Sequence, residues 1–307
     1  MFSGSLLAQD GPGRYGGCDP DSRELRAADL PGVVDEDRCA VEGKKIVAGG
    51  VGVVVPEPGM AVIADATGPD ADLQLTVSNP PGDKITIQSG EAREEPPSGV
   101  ASRASGPGAC RDSAYDHWDA KLYNYNRWYV NSRSIPSSMS TGRAVRAMKK
   151  AATNVSRVQD ACGIRDKVRG RMIYGGGVKR SVNIKSNLDC TSNDYKSVVG
   201  FGDLPANYTA FSCIWTWIQD GPNRVAHSDV RLNKVDYAWT TRVTGSCRGR
   251  YDVESTMTHE RGNTFGLDDV SEAYHGNLTM SDNSNGPCQT SERSLGRGDA
   301  IGLNKKY

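Results

Sequence analysis

Thr258-His259-Glu260-Arg261-Gly262-Asn263-Thr264-Phe265-Gly266-Leu267-Asp268-Asp269 is the most informative stretch of the chain. His259 and Asn263 are four positions apart, so on a helix both side chains leave one face. Glu260 sits beside them. Gly266 can adopt the left-handed conformation that other residues avoid, and so can turn the chain. Position 269 then returns towards His259. Imidazole and carboxylate are groups that hold a divalent ion, and a neighbouring glutamate is placed to take a proton from ion-bound water. The spacing therefore predicts a helix, a glycine bend and a convergence of His259, Asn263 and Asp269.

Working outward, Asp252 to Thr264 reads as one helix with Asp252 as N-cap. Upstream, apolar positions recur at three or four from Ala144 to Val158, which predicts a helix over Ser140 to Val158. Tyr123, Tyr125, Trp128 and Tyr129 mark a strand before it. Arg171–Tyr174, Val198–Phe201 and Ser212–Trp217 are strand-like runs that follow it. Val225–Leu232 reads as an edge strand, because polar residues interrupt it. A last short helix carries Ala300, Leu303 and Tyr307. The order β-α-β-β-β-β-α-loop-α is an α+β plan.

The N-terminal third differs. Residues 1–39 are polar and rich in Gly and Pro, and predict an irregular segment. Residues 40–89 hold short strand candidates at Lys45–Val47, Val51–Val55, Met60–Ile63, Leu73–Val77 and Lys84–Ile87, the pattern of a small antiparallel β module. Residues 90–109 have the composition of a linker. Residues 110–307 form the main domain.

That main domain resembles the metzincin zinc endopeptidases, of the secreted actinobacterial matrixin-like type. The quoted stretch follows the pattern H-E-x-x-H-x-x-G-x-x-H. Leu278-Thr279-Met280-Ser281 resembles the Met-turn, and Ser294 to Leu303 resembles the closing helix. The resemblance implies a metzincin-like catalytic domain with a mixed twisted sheet, an active-site helix, a Met-turn and a C-terminal helix, preceded by the small β module. It implies Zn2+ held at His259, Asn263 and Asp269, Glu260 as general base and Met280 beneath the metal. It also implies a polypeptide substrate laid antiparallel along Asp229-Val230-Arg231-Leu232-Asn233, and a monomer. Two ligand positions depart from the pattern. Aspartate is a good zinc ligand, and snapalysin-type metzincins carry it at the third position. The neutral amide oxygen of Asn263 is a weak one. Two functions follow: a zinc-dependent metalloendopeptidase impaired at Asn263, or a catalytically inactive, secreted binding module on the same fold.

Composition bounds both readings. The 307 residues carry 37 basic and 37 acidic side chains, so no basic excess points to nucleic acid. No apolar run is long enough for a transmembrane segment. Eight scattered cysteines with no C-x-x-C pair predict disulfides and an oxidising, extracellular setting. Leu6, Leu7 and Ala8 are too short an apolar patch for an export signal. Cys18 and Cys39 lie outside the main domain and are expected to pair. Cys213–Cys247, Cys162–Cys190 and Cys110–Cys288 are favoured within it. His275, between Asp269 and the Met-turn, is read as a structural or surface residue. Arg297-Gly298-Asp299 falls at a helix start and is read as structural.

Overall fold

A computed structural model describes residues 15–68, 73–90, 107–283 and 286–307. The N-terminal third supplies seven strands: β1 (Glu24–Arg26), β2 (Val33–Asp35), β3 (Lys45–Ala48), β4 (Val51–Val54), β5 (Met60–Thr67), β6 (Gln74–Asn79) and β7 (Lys84–Ser89). Next come the short strands β8 (Asp116–His117) and β9 (Ala120–Lys121), then β10 (Tyr125–Asn131) and helix α1 (Thr141–Ser156). The run β11 (Arg171–Val178), β12 (Asp189–Cys190), β13 (Ser197–Gly202), β14 (Ala210–Trp217) and β15 (Asn223–Asn233) follows. After β16 (Ala238–Thr240) and β17 (Arg250–Asp252) comes helix α2 (Val253–Phe265), then β18 (Leu267–Asp268), α3 (Glu272–His275) and α4 (Arg297–Lys306). The architecture is α+β, as the order of elements predicts.

One sheet of ten strands organises the molecule, in the order β11-β10-β13-β15-β14-β5-β6-β7-β2, with β9 alongside β15. From β11 to β15 the pairs are parallel. From β15 onward every pair is antiparallel. The parallel half follows from the α1 crossover between β10 and β11. In the antiparallel half β5, β6 and β7 pair in chain order, whereas β14–β5 and β7–β2 join segments distant in sequence.

Each face of this sheet carries a core. Against one face, α1 and α2 bury Ala144, Ala147, Met148, Val253 and Met257 on Trp128, Val130, Val199 and Val230. Against the other, the small sheet β1-β3-β4-β12 buries Ile46, Val51 and Val53. Val62, Ala64 and Ala66 from β5 share that second core with Phe211, Cys213 and Trp215 from β14. Fully burying one side chain of the larger apolar types contributes roughly 1.5–3 kcal/mol, so this shared core binds the two halves of the chain together.

Two expectations are corrected here. Residues 15–39 are not wholly irregular, since β1 and β2 lie within them. The stretch Asp229-Val230-Arg231-Leu232-Asn233 is not an edge: β15 lies between β13 and β14, and Val230, Leu232, Asp229 and Asn233 are all buried. Its polar residues find partners within the fold. Asp229 accepts the backbone N–H groups of Asn183 and Val198, the guanidinium of Arg231 donates to the carbonyls of Asp203 and Ile184, and Asn233 donates to the carbonyls of Leu204 and Tyr208. The strand beside β14 is β5, so the small β module continues the main sheet. The proposed linker falls largely on residues 91–106, outside the described residues.

The cysteines form Cys18–Cys39, as expected, and Cys110–Cys162, Cys190–Cys213 and Cys247–Cys288. The other three expected pairings are therefore overturned. Cys213 faces the small sheet from β14, where Cys190 at the end of β12 meets it, while Cys247, before β17, pairs with Cys288 between α3 and α4. No helix among the described residues is long and apolar enough to cross a membrane.

Candidate metal centre

Helix α2 starts at Asp252, whose carboxylate accepts the backbone N–H of Ser255. It ends at Gly266, with φ of 95°. A side chain there would meet the carbonyl oxygen of Ala120, so glycine is required both by the turn and by the close approach. All thirteen residues of α2 are buried. The chain then returns through β18, and Val270 and Met280 bond across: the N–H of Val270 donates to the Met280 carbonyl at 2.7 Å.

That return brings Asp269 to His259, with Oδ1 3.3 Å from Nε2. The third side chain of the group comes from elsewhere. Asp65 of β5 joins His259 and Asp269, one ligand-type atom from each lying within 4.8 Å of the others. All three residues are buried, with exposures of 0%, 0% and 2% in chain order. Asn263 is fully buried too and donates its amide N–H to Oδ2 of Asp65 at 2.6 Å.

The hydrogen bonds fix the character of each donor. Nδ1 of His259 is 2.9 Å from the carbonyl oxygen of Thr279, which can only accept. Nδ1 therefore carries the proton, and in a neutral ring Nε2 holds the lone pair. Neither Nε2 of His259 nor Oδ1 of Asn263 has a hydrogen-bond partner, although both are buried. An imidazole nitrogen, an amide oxygen and two carboxylates are thus gathered out of contact with solvent. Buried polar atoms without partners are costly, and so is crowding two carboxylates together out of water. A divalent cation would relieve all of these at once, so the residues present fit such an ion.

Glu260 is spent differently. Its Oε1 accepts the hydroxyl of Thr67 at 2.8 Å, and its Oε2 accepts the hydroxyl of Ser212. Thr67 is on β5 and Ser212 on β14, and Ser212 sits opposite Asp65 in the strand register. The two strands therefore present Asp65, Thr67 and Ser212 as one polar patch to α2. Alternation on β5 sends Val62, Ala64 and Ala66 to the opposite core.

Met280 is 1% exposed, and its Sδ lies where a side chain at Gly262 would go. The methionine thus packs directly on the helix that carries the site. Its turn is fixed by Asp299, which accepts the backbone N–H groups of Thr279, Met280 and Gly296. Burial pushes the Asp299 carboxyl up, and these three N–H groups oppose that rise. The Arg297-Gly298-Asp299 tripeptide is therefore structural. His275 is half-buried and pairs with Asp112 at 2.8 Å, away from the group.

The structure therefore brings His259, Asn263 and Asp269 together and adds Asp65. It places Glu260 next in sequence but against hydroxyls. It does not bring residues 229–233 to any open cleft. The missed residues, Asp65, Thr67 and Ser212, come from strands distant in sequence. The one available signal is a carboxylate directly after the apolar run Met60–Ala64, an unusual place for a charged residue. No protein-family model and no curated protein matches the chain.

Proposed function

We propose that the chain is a secreted metzincin-type protein whose peptidase site has been closed by its own strand and put to structural use. Intact, it is a non-catalytic module. The observation that carries this reading is the position of β5, which pairs along the whole of β14 from Met60↔Trp217 to Thr67↔Ala210. A polypeptide that adds to a sheet needs a free edge, and this edge is filled. All eight residues of β5 are buried.

The helix with His259 and Glu260, the bend at Gly266, Asp269, Met280 beneath the helix and the C-terminal helix α4 support the metzincin part of the reading. The four disulfides support secretion. A zinc ion at His259 and Asp269 would supply a Lewis acid when bound. Glu260 as general base would need an oxygen directed at water, and both of its oxygens are held by hydroxyls. The competing reading, a working zinc endopeptidase, requires β5 to leave a core that it shares with β14 and β6.

The test is incubation of the intact chain with an unfolded polypeptide and added Zn2+, followed by a count of new N-termini. None is expected. Chelator-sensitive cleavage that disappears in Glu260→Gln would overturn the reading.

A further inference from the structure

We propose that Asp65 is a ligand to a divalent cation held with His259, Asn263 and Asp269, and that this cation staples strand β5 to helix α2. The inference rests on the closed-cleft reading above, and assigns the closing strand a direct part in the metal centre.

The argument starts from charge. Asp65 and Asp269 bring two carboxylates into one buried pocket. The imidazole of His259 sets Nδ1 against the Thr279 carbonyl and so turns Nε2 towards the carboxylates. Two acceptors, Nε2 and Oδ1 of Asp269, then face each other at 3.3 Å. One cation could touch both atoms, together with a carboxylate oxygen of Asp65. Asn263 turns its N–H to Asp65 and keeps an oxygen without a partner, which adds a further donor.

The donor set is one nitrogen and three oxygens. Carboxylate and carbonyl oxygens suit Mn2+, Ca2+ and Mg2+, while imidazole suits Zn2+ and other transition ions. The mixed set therefore favours Mn2+ and Zn2+ over the all-oxygen ions. Asp65 and the three α2-side residues sit on segments almost two hundred positions apart, and nothing preforms such a site in an unfolded chain. Binding is thus linked to folding.

The experiment uses the intact chain, stripped with chelator and titrated with Mn2+, Zn2+ or Ca2+. At a cation concentration about a hundredfold above Kd, a rise in Tm of roughly 4 °C is expected for Mn2+ and Zn2+. Asp65→Asn is expected to weaken binding at least tenfold. In case that variant folds poorly, amide exchange in the wild-type chain gives a second readout. Added cation should slow exchange in 61–67 and in 259–269 together. Absence of any Tm shift, unchanged affinity in Asp65→Asn, or slowing confined to 259–269 would each overturn the proposal. Cleavage of polypeptides by the intact chain would instead overturn the closed-cleft reading, so the two failures are distinguishable.

Discussion

Thr67 on β5 donates its hydroxyl to Oε1 of Glu260 at 2.8 Å, joining residues 193 positions apart in the chain. With Ser212 bound to the other oxygen, the carboxylate that the sequence marks as a base is a buried acceptor. A hydrogen bond to a charged group is worth about 1.5–3 kcal/mol. Thr67→Val keeps the shape and removes the donor, so it is expected to lower the free energy of unfolding by about that amount. Ser212→Ala should act similarly. The double variant should depart from the sum, because both changes act on one carboxylate. Urea denaturation of the four chains measures the cycle, and unchanged stability in both single variants would refute the role given to Glu260.

Restoring histidine at the second ligand position is the obvious repair. Asn263→His supplies an imidazole, but leaves β5 between β14 and β6 and leaves Glu260 bound to Thr67 and Ser212. Polypeptide cleavage by this variant is therefore expected to stay undetectable. The measurement is release of new N-termini from an unfolded substrate with Zn2+ present. Robust turnover would mean that Asn263 alone limits activity.

What the sequence revealed of this site is what lies close together along the chain. His259, Glu260, Asn263, Gly266 and Asp269 fall within one helix and one bend, so spacing and glycine chemistry place them. Met280 follows in the next turn. Asp65 reaches Asn263 from 198 positions away, through a strand pairing that leaves no mark in either segment. The misplaced edge has a similar cause. Polar residues in Asp229 to Asn233 suggest water, yet they meet backbone groups of residues 183, 198, 203 and 208, and composition cannot distinguish the two partners. Helices α1 and α2 were legible because each has a local period or cap, whereas the order of strands in the sheet depends on contacts of long range.

Disulfide reactivity should follow burial. Cys190 and Cys213 are 1% and 0% exposed, inside the core beneath the small sheet. Cys110 is exposed, and Cys162, Cys247 and Cys288 are partly so. Thiolate attack needs access to sulfur. Mild reductant under native conditions is therefore expected to open Cys110–Cys162 and Cys247–Cys288 first and to leave Cys190–Cys213 intact until the fold opens. Alkylation at timed intervals with mass spectrometry reads the order. Early loss of Cys190–Cys213 would contradict the burial given to it.

Two groups on β15 should oppose each other as pH falls. His227 stacks on Trp215 with ring centroids 4.5 Å apart, and Tyr195 lies beyond it. Burial pushes its pKa down to about 4, and Asp194 offsets this only in part. The unfolded chain therefore takes up the histidine proton first, and stability is lost as pH falls from about 6.5 towards 4. Asp229 behaves inversely: burial pushes its pKa up to about 7, against the N–H groups of Asn183 and Val198, with Asp194 raising it and Arg180 lowering it. Its native form takes up a proton first, so stability is gained as pH falls from about 7 towards 4. His227→Phe keeps the stack on Trp215 and removes one of the two effects. Relative to wild type, its free energy of unfolding is expected to rise by about 1.4 kcal/mol per pH unit between about 6 and 4.5. Denaturation midpoints across that range test this, and parallel curves for the two proteins would show that His227 gains its proton as readily in the folded chain as in the unfolded one.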